Sequence, residues 1–396
     1  MMSKWEMVRL GDVGTVITGN TPKTSDAKNY DSDDLYFVKP SDIAEGVIVQ
    51  LNASENYVSE YARKSCRVVP QNSVLVTCIG IIGKIGMTTS EVAFNQQINA
   101  IVPDAEKCNH KFLAYAISRV RAELNHVANA AVVPIINKSQ FSDIKILLPP
   151  LDVQEKIADV LDCASTLIEK RKAQIAKLDL LMKSRFVEMF GDPVVNPMGW
   201  KTLTLGECGT LKNGMNFSQN DYGYSVYCLG VGNFGDLYKV EDVFDISKIN
   251  ILSKPSDDYI LKNGDIVFVR SNGSKELVGR CVEVFPRENE MTFSGFCIRF
   301  RNENSELGNT YLNHALHLPA MRLSLTGSGR GANIQNVNQQ MLSSLKISSP
   351  PIELQHQFAD FVQQTEKSKI QMQQGLDKLE VLYKSLVQKC FNGEVY

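Results

Sequence analysis

Long apolar runs are missing from this 396-residue chain, and none approaches the roughly 20 residues a helix needs to cross a bilayer. No leader pattern stands ahead of the first patterned segment, so a cytoplasmic protein is expected. Nine cysteines occur, none in a Cys-x-x-Cys pair. That spacing speaks against a zinc site or a disulfide framework and for reduced, buried thiols. The net charge is only −2, with basic and acidic residues balanced along the chain. Bulk composition therefore gives no sign of a nucleic-acid partner, and any basic surface must be local or supplied by another subunit. No Walker A sequence, Gly-x-Ser-x-Gly elbow or Asp/Asn-Pro-Pro-Tyr/Phe amino-methyltransferase motif is present, so catalysis has no support. Gly230 to Gly235 fits G-x-G-x-x-G, but no helix pattern follows to meet a phosphate, and a nucleotide site is rejected. His314 and His317 lack an evident third ligand, and a metal site is rejected likewise.

What is present is a repeat. Leu147-Leu148-Pro149-Pro150-Leu151-Asp152-Val153-Gln154 returns 201 residues later as Ser348-Ser349-Pro350-Pro351-Ile352-Glu353-Leu354-Gln355. Upstream the offset drifts to 195: Trp5, Leu10-Gly11, Gly14-Thr15 and Gly19 answer to Trp200, Leu205-Gly206, Gly209-Thr210 and Gly214. These are the only two tryptophans. A recurrence of this length means two structural units of one plan.

Each proline pair is followed by a helical pattern, because proline pushes the residue before it away from helical angles. Asp152 and Glu155 have the spacing of a capping box. Apolar residues then recur alternately four and three apart: Ile157, Leu161, Ala164, Ile168, Ile175, Leu178, Met182 and Met189, with Arg171 and Arg185 interposed. The second copy reads Phe358, Val362, Thr365, Lys369, Met372, Leu376, Leu379, Tyr383, Leu386 and Cys390. A 3.5-residue period held over four heptads predicts a coiled-coil seam. Each helix should span about 33 residues, or roughly 50 Å. The simplest partner for one seam is the other, as an antiparallel pair with a globular unit at either end. The alternatives are packing of each helix on its own unit or on a second copy of the chain. Gly375 inside the second helix would mark a close helix contact.

Between the repeats the chain reads as β-rich. Strands are expected near residues 4–19, at Leu35–Val38, Ala44–Leu51, Ser73–Ile82, Val132–Ile136 and Ile144–Leu148, with a helix over Lys111–Asn125. In the second half, strands are expected at Tyr222–Leu229, Ile260–Leu261 and Asp265–Val269, and a helix at Thr310–Leu325 broken or kinked by Pro319. From Tyr61 to Ser90 the only charged residues are Arg63, Lys64, Arg67 and Lys84, and Asn95, Gln96 and Gln97 follow. In the second half, Arg270 to Lys275 stands where the first has Cys78 to Gly80, and Gly279-Arg280 answers Gly83-Lys84. Cations beside amides are the side chains that hold phosphates and read base edges. The candidates are Lys39, Ser41, Arg63, Lys64, Arg67, Lys84, Asn95, Gln96, Gln97 and Lys138 in the first half. In the second they are Arg270, Asn272, Ser274, Lys275, Arg280, Arg330, Asn333 and Gln335. The frame is retained and the loops are changed, as in two binding units of different specificity.

The order Trp-x5-Gly, β-rich unit, Leu-Pro-Pro-Leu-x2-Gln-x2-Ile-Ala and long helix, all repeated, resembles the specificity subunits of type I restriction-modification systems over essentially the whole chain. Phe190-Gly191-Asp192 and Phe391-Asn392-Gly393-Glu394 are similar to the family's helix endings. The resemblance implies an α+β chain. Residues 1–150 and 192–351 would be target recognition domains, each reading half of a bipartite DNA site. Residues 151–191 and 352–396 would be spacer helices that pair. It implies docking of two adenine methyltransferase subunits, and in some assemblies two motor-nuclease subunits. S-adenosylmethionine would bind the methyltransferase, and ATP and magnesium the nuclease subunit, with no cofactor and no catalysis in this chain. Alternative readings are the recognition subunit of a type IIB-like system and a two-domain scaffold that binds only protein. No short tandem repeat stands between the first helix and the second unit, so no spacer-length switch is expected.

Overall fold

Short β-branched runs become the strands of a computed structural model that describes residues 5–128, 134–218, 222–235, 237–271, 276–326 and 336–396. Contacts divide the chain into two units, residues 1–171 with 375–396 and residues 172–374. In the first unit five strands pair in the order Gly14–Thr18, Ile98–Pro103, Val74–Thr77, Ile85–Thr88, Ile48–Leu51. All four residues of Val74–Thr77 are buried, so the central strand reads as a continuous apolar run without alternation. A four-stranded sheet follows the order Tyr57–Val58, Leu35–Val38, Val92–Phe94, Val68–Val69. Glu6–Arg9 pairs antiparallel with Lys145–Leu148, which closes the segment before the first long helix onto the start of the chain.

The second unit repeats this plan. Its five-stranded order is Gly209–Asn213, Cys297–Asn302, Asp265–Val269, Cys281–Phe285, Lys239–Glu241. A three-stranded sheet holds Lys248–Ile251, Tyr224–Leu229 and Met291–Phe293, and Lys201–Thr204 pairs with Lys346–Ser349. Asn72 and Gly264 occupy the same turn before the central strand, both at positive φ (66° and 88°).

Several expected boundaries move. The strand expected over Ser73–Ile82 ends at Thr77, because the Thr77 hydroxyl accepts Lys84 N–H (3.0 Å) and donates to Ile81 O (2.6 Å), turning the chain. The strand over Ala44–Leu51 begins only at Ile48. Ile260–Leu261 forms no strand; it leaves the turn Asp257–Tyr259, and Ile260 O accepts from Arg301. The helix over Lys111–Asn125 is two helices, His110–Arg119 and Arg121–Ala128, the first capped by Asn109. Ile135 of the expected strand Val132–Ile136 bridges Ile79, while residues 132–133 lie outside the described residues. The strand expected from Tyr222 runs Tyr224–Leu229. Pro319 ends one helix and opens the next, Pro319–Thr326, where its missing N–H costs nothing.

The two long helices, Leu151–Phe190 and Ile352–Phe391, have 40 residues each, seven more than the pattern suggested. At about 1.5 Å per residue each measures roughly 60 Å. In the first unit, Ile157, Ala158 and Leu161 share a core with Leu386, Val387, Cys390 and Phe391, so the start of one helix lies along the end of the other. In the second unit, Met182, Phe186 and Phe190 share a core with Phe358 and Val362. The pair is antiparallel, and its seam merges with the body of each unit. Ile168, Ile175 and Leu376 are buried, and Leu178, Met372, Leu379 and Tyr383 are half-buried. The strict 3.5-residue reading fails at the end of the first helix. Arg185 and Met189 are only half-buried, and Phe186 and Phe190, each one residue on, take the core. An α-helix turns every 3.6 residues, so the buried stripe drifts off a fixed heptad. Arg185 pairs with Glu188 instead (2.9 Å).

The Asp152–Glu155 spacing does not set the helix entry as expected. Asp152 pairs with Lys156 at 3.2 Å, and the entry is fixed by Gln154, fully buried three residues into the helix. Gly375 does not mark a close helix contact, since a Cβ built there meets nothing within 4 Å. All nine cysteines are unpaired, and burial pushes the Cys78, Cys108, Cys228 and Cys297 thiols up to about 12, which leaves them unreactive. Among the described residues no helix is long and apolar enough to cross a membrane.

Candidate nucleic-acid interface

At one end of each five-stranded sheet the same backbone hydrogen bonds gather four loops. In the first unit, Gly19 N–H donates to Ile98 O, Asn95 N–H to Val38 O, Cys78 N–H to Gln97 O, and Ile136 N–H to Cys78 O. In the second, Gly214 donates to Cys297 O, Ser294 to Leu229 O, Arg270 to Phe296 O, and Val337 to Arg270 O. Arg270 therefore stands in the place of Cys78, as the sequence offset suggested. Gly19 and Gly214 recur because the turns press on them: a Cβ would lie 2.2 Å from Asn95 O in one unit and 2.0 Å from Ser294 O in the other.

A 3₁₀ turn leads off the neighbouring strand in each unit. In the first it is Pro40–Asp42, closed by Lys39 N–H donating to Asp42 (2.8 Å); in the second it is Val231–Asn233, closed by Gly230 N–H donating to Asn233 (2.9 Å). The glycine-rich run Gly230 to Gly235 is thus the counterpart of Lys39 to Asp42, with no helix N-terminus for a phosphate. A cation reaches each turn. Lys84 Nζ donates to Pro40 O (2.8 Å) and Arg280 Nη1 to Gly235 O (2.6 Å), both placed by a preceding glycine at positive φ, Gly83 and Gly279.

The candidates separate by surroundings. Lys39, Ser41, Lys84, Asn95, Gln96 and Gln97 converge on this end of the first unit. Asn95 is buried and its amide donates to Gln97 Oε1 (3.0 Å), while Gln97 N–H returns to Asn95 Oδ1 (3.1 Å), so these two shape the turn. Gln96 is exposed and accepts from the Thr21 hydroxyl at 2.7 Å. Lys138 is exposed on the short helix that follows Ile136. Arg63 sits at the other end of strand Val92–Phe94, between Glu60 (2.6 Å) and Glu91 (3.2 Å). Lys64 lies over the Tyr61 ring, and Arg67 is exposed on the same segment. In the second unit Arg270 holds Gly295 O at 3.5 Å. Asn272, Ser274, Lys275, Arg330, Asn333 and Gln335 lie outside the described residues, but their flanks Ser271 and Asn336 bridge each other.

Sequence reasoning passed over three features. Gln154 and Gln355 look like ordinary polar helix residues until their buried partners are seen. Phe296 is 62% exposed at the turn tip where the first unit has Gln97, and only the aligned turns reveal that exchange. Tyr30, Phe37 and Tyr57 read as scattered aromatics of strand and loop, though they line one cavity. His314 and His317 are committed to packing, His317 stacking on Tyr238 at 4.0 Å.

The family model for the type I restriction modification DNA specificity domain matches residues 2–178 and again 197–381. The chain belongs to this family. It carries two copies of the specificity domain in tandem, one for each half of the repeat. Two curated relatives match along nearly the whole chain, and a third along less than half of it. The type I restriction enzyme StySPI specificity subunit of Salmonella potsdam is 24% identical, over 99% of this chain and 89% of its own. The EcoKI specificity subunit of Escherichia coli K12 is 22% identical over the same shares. The HindI specificity subunit of Haemophilus influenzae is 30% identical over 44% of this chain and 39% of its own. Among solved structures, the type I S subunit from M. genitalium covers 98% of this chain and 96% of its own, with a TM-score of 0.57 at 14% identity. A chain from a structure of complex assembly in the type I R-M system covers 100% and 99%, with a TM-score of 0.62 at 18% identity. At these identities the structures speak for the shared fold.

Proposed function

We propose that this chain is the non-catalytic, DNA-reading subunit of a type I restriction-modification complex, with each unit reading one half of a bipartite site. The observation that carries this reading is a hydrogen-bonded loop frame repeated in both units while the residues on it differ: Asn95-Gln96-Gln97 against Ser294-Gly295-Phe296, and Cys78 against Arg270. A frame kept and tips exchanged is what two readers of different sequences require. In this reading residues 1–150 and 192–351 are the recognition domains, and residues 151–191 and 352–396 the spacer. Lys39, Ser41, Lys84, Gln96, Lys138, Arg270 and Arg280 face the DNA, and Asn272, Ser274, Lys275, Arg330, Asn333 and Gln335, outside the described residues, are assigned to the same contact. Arg63, Lys64 and Arg67 give at most backbone contacts. The near-neutral charge assigns much of the phosphate grip to a partner.

The helix pair acts as ruler and docking post. Helices of about 60 Å are long enough to set half-sites one turn of DNA apart, roughly 34–36 Å. Leu180 and Leu181 are exposed (61% and 48%), and 201 residues later Val381 and Leu382 are exposed as well (67% and 65%). An apolar pair left uncovered twice at one repeat offset suits two copies of one partner, the methyltransferase subunit. A restriction subunit joins through that assembly. A type IIB-like partner, with methylation and cleavage in one chain, would use the same features.

The test is a map of adenine methylation in cells carrying the methyltransferase with and without this chain. A bipartite methylated motif that appears only with this chain is expected. A stable complex with no chain-dependent motif would overturn the reading in favour of a scaffold.

A further inference from the structure

The first unit contains a cavity of about 500 Å³ for which the repeated frame has no need. Tyr30, Phe37 and Tyr57 line it, with Lys39, Asn56 and Thr24 among them. Tyr30 is fixed by its hydroxyl on Pro22 O (2.8 Å), and Tyr57 packs on Tyr36 with ring centroids 5.3 Å apart. Lys39 Nζ donates to Asn56 Oδ1 at 2.6 Å and stands 5.9 Å from the Phe37 ring. The second unit shares the local backbone, since Phe37 N–H donates to Asn56 O as Cys228 N–H does to Ser247 O. At the equivalent positions, however, it carries Cys228, Gly230, Ser247 and Lys248 for Phe37, Lys39, Asn56 and Tyr57. The Phe37 and Tyr57 rings and the Asn56 amide thus have no counterpart at these positions of the second unit, and the fold forms without them.

We propose that this cavity receives a single unpaired nucleobase. The Tyr30 and Tyr57 rings offer stacking surface, and an amide, a hydroxyl and an ammonium offer hydrogen bonds to a base edge. Asp33 and Glu55 also line the cavity, so with Lys39 its charge is negative and it disfavours a phosphate while tolerating a neutral base. The volume lies within the range of small-ligand sites. The cavity also adjoins the candidate interface: Thr21 lines it and donates to Gln96, the exposed residue of the turn tip. A base displaced from a duplex lying on that turn would meet the cavity next. The duplex source rests on the proposed recognition role, whereas a free nucleoside would enter independently of it.

Two measurements on the full-length chain test this. Saturation-transfer NMR with each of the four free nucleosides should show transfer to base protons. Tyr57→Ala should weaken that binding about tenfold, as loss of a stacking partner does. Thr24→Trp, at an exposed position where folding is not at stake, should abolish it by filling the cavity. Duplexes of the mapped site, with 2-aminopurine placed at successive positions of the first half-site, should show a rise in fluorescence at one position on binding, absent with Thr24→Trp. Transfer without such a rise assigns the cavity to a free nucleoside, and a rise assigns it to DNA. A bound duplex with no rise, together with no transfer from any nucleoside, would overturn the proposal while leaving the recognition role intact. A duplex that binds neither the chain nor its complex with the methyltransferase would count against the recognition role, and the nucleoside result alone would then decide the cavity.

Discussion

Gln154 Oε1 accepts the backbone N–H of Asn109 at 2.9 Å, and its amide donates to Lys107 O (3.0 Å) and Pro149 O (2.8 Å). One buried side chain thus ties the entry of the first long helix to the N-terminus of the short helix His110–Arg119. Gln355 repeats this with Gly308 N–H (2.8 Å), Glu306 O (2.9 Å) and Pro350 O (2.8 Å). Replacing either glutamine by alanine removes the side-chain partner of three backbone groups, one buried and two half-buried. Each substitution should cost about 2–3 kcal/mol, measured by urea denaturation. A loss below about 0.5 kcal/mol would mean that water replaces the side chain.

Half-buried Arg301 pairs with the buried carboxylate of Asp265 at 2.7 Å; Asp265 also accepts Lys262 N–H, and Arg301 also donates to Ile260 O. The Asp265 hydrogen bond raises the pKa of the guanidinium, first among its influences. Arg301→Leu would strand the carboxylate and should destabilise the chain by about 3–5 kcal/mol. The paired substitution Arg301→Leu with Asp265→Leu should recover most of that loss. If the double variant is as unstable as the single one, the penalty lies in packing and not in charge.

Glu283 is buried, and desolvation raises its carboxyl to about 7, although Lys239 beside it acts the other way. A raised folded value means stability that is present below the unfolded value near 4.5 and lost as pH climbs through about 7. His314 is pushed down to about 3 by burial, which has the opposite sign on the acid side and is common to any Glu283 variant. Glu283→Gln should therefore gain stability relative to the wild type as pH rises from 5 to 8, by on the order of 3 kcal/mol. Thermal melting at several pH values gives the difference directly; a constant difference would show that Glu283 stays ionised in the fold.

The exposed pairs on the long helices make an independent test of docking. Leu180→Glu with Leu181→Glu should reduce the bound methyltransferase from two copies to one, and Val381→Glu with Leu382→Glu should do the same. Native mass spectrometry reads the stoichiometry. Two copies retained by both variants would place the docking surface elsewhere.

Gly375 offers a gain. It lies within the helix Ile352–Phe391 in open space, so Gly375→Ala should stabilise by about 1 kcal/mol through helix propensity alone. A calorimetric melting temperature that fails to rise would show that the glycine is needed for a bend.

The repeat, the long helices, the central strands and the break at Pro319 were all legible because each is written locally. A run such as Val74–Thr77 needs no distant residue to be read as a buried strand. Where a partner lies far along the chain, the sequence is silent. Gln154 is marked only by its recurrence, because two of its three partners sit 45 and 47 residues upstream. Phe186 and Phe190 escaped because a heptad template drifts against the true helical period. At the candidate interface the alignment of Arg270 with Cys78 was readable. That Asn95 and Gln97 spend their amides on each other was not, since a three-residue turn has no periodicity.

Gly19 and Gly214, each pressed under a turn by backbone carbonyls, mean that the bases of the turns are clamped through main-chain atoms. Main-chain clamps are indifferent to the side chains they present. The tip residues can therefore be exchanged, singly or as whole loops, without disturbing the core. Evolvability of target choice is thus partitioned from the thermodynamics of folding, and a library randomised at Gln96, Phe296 and Arg270 should remain almost entirely folded while its preferences scatter.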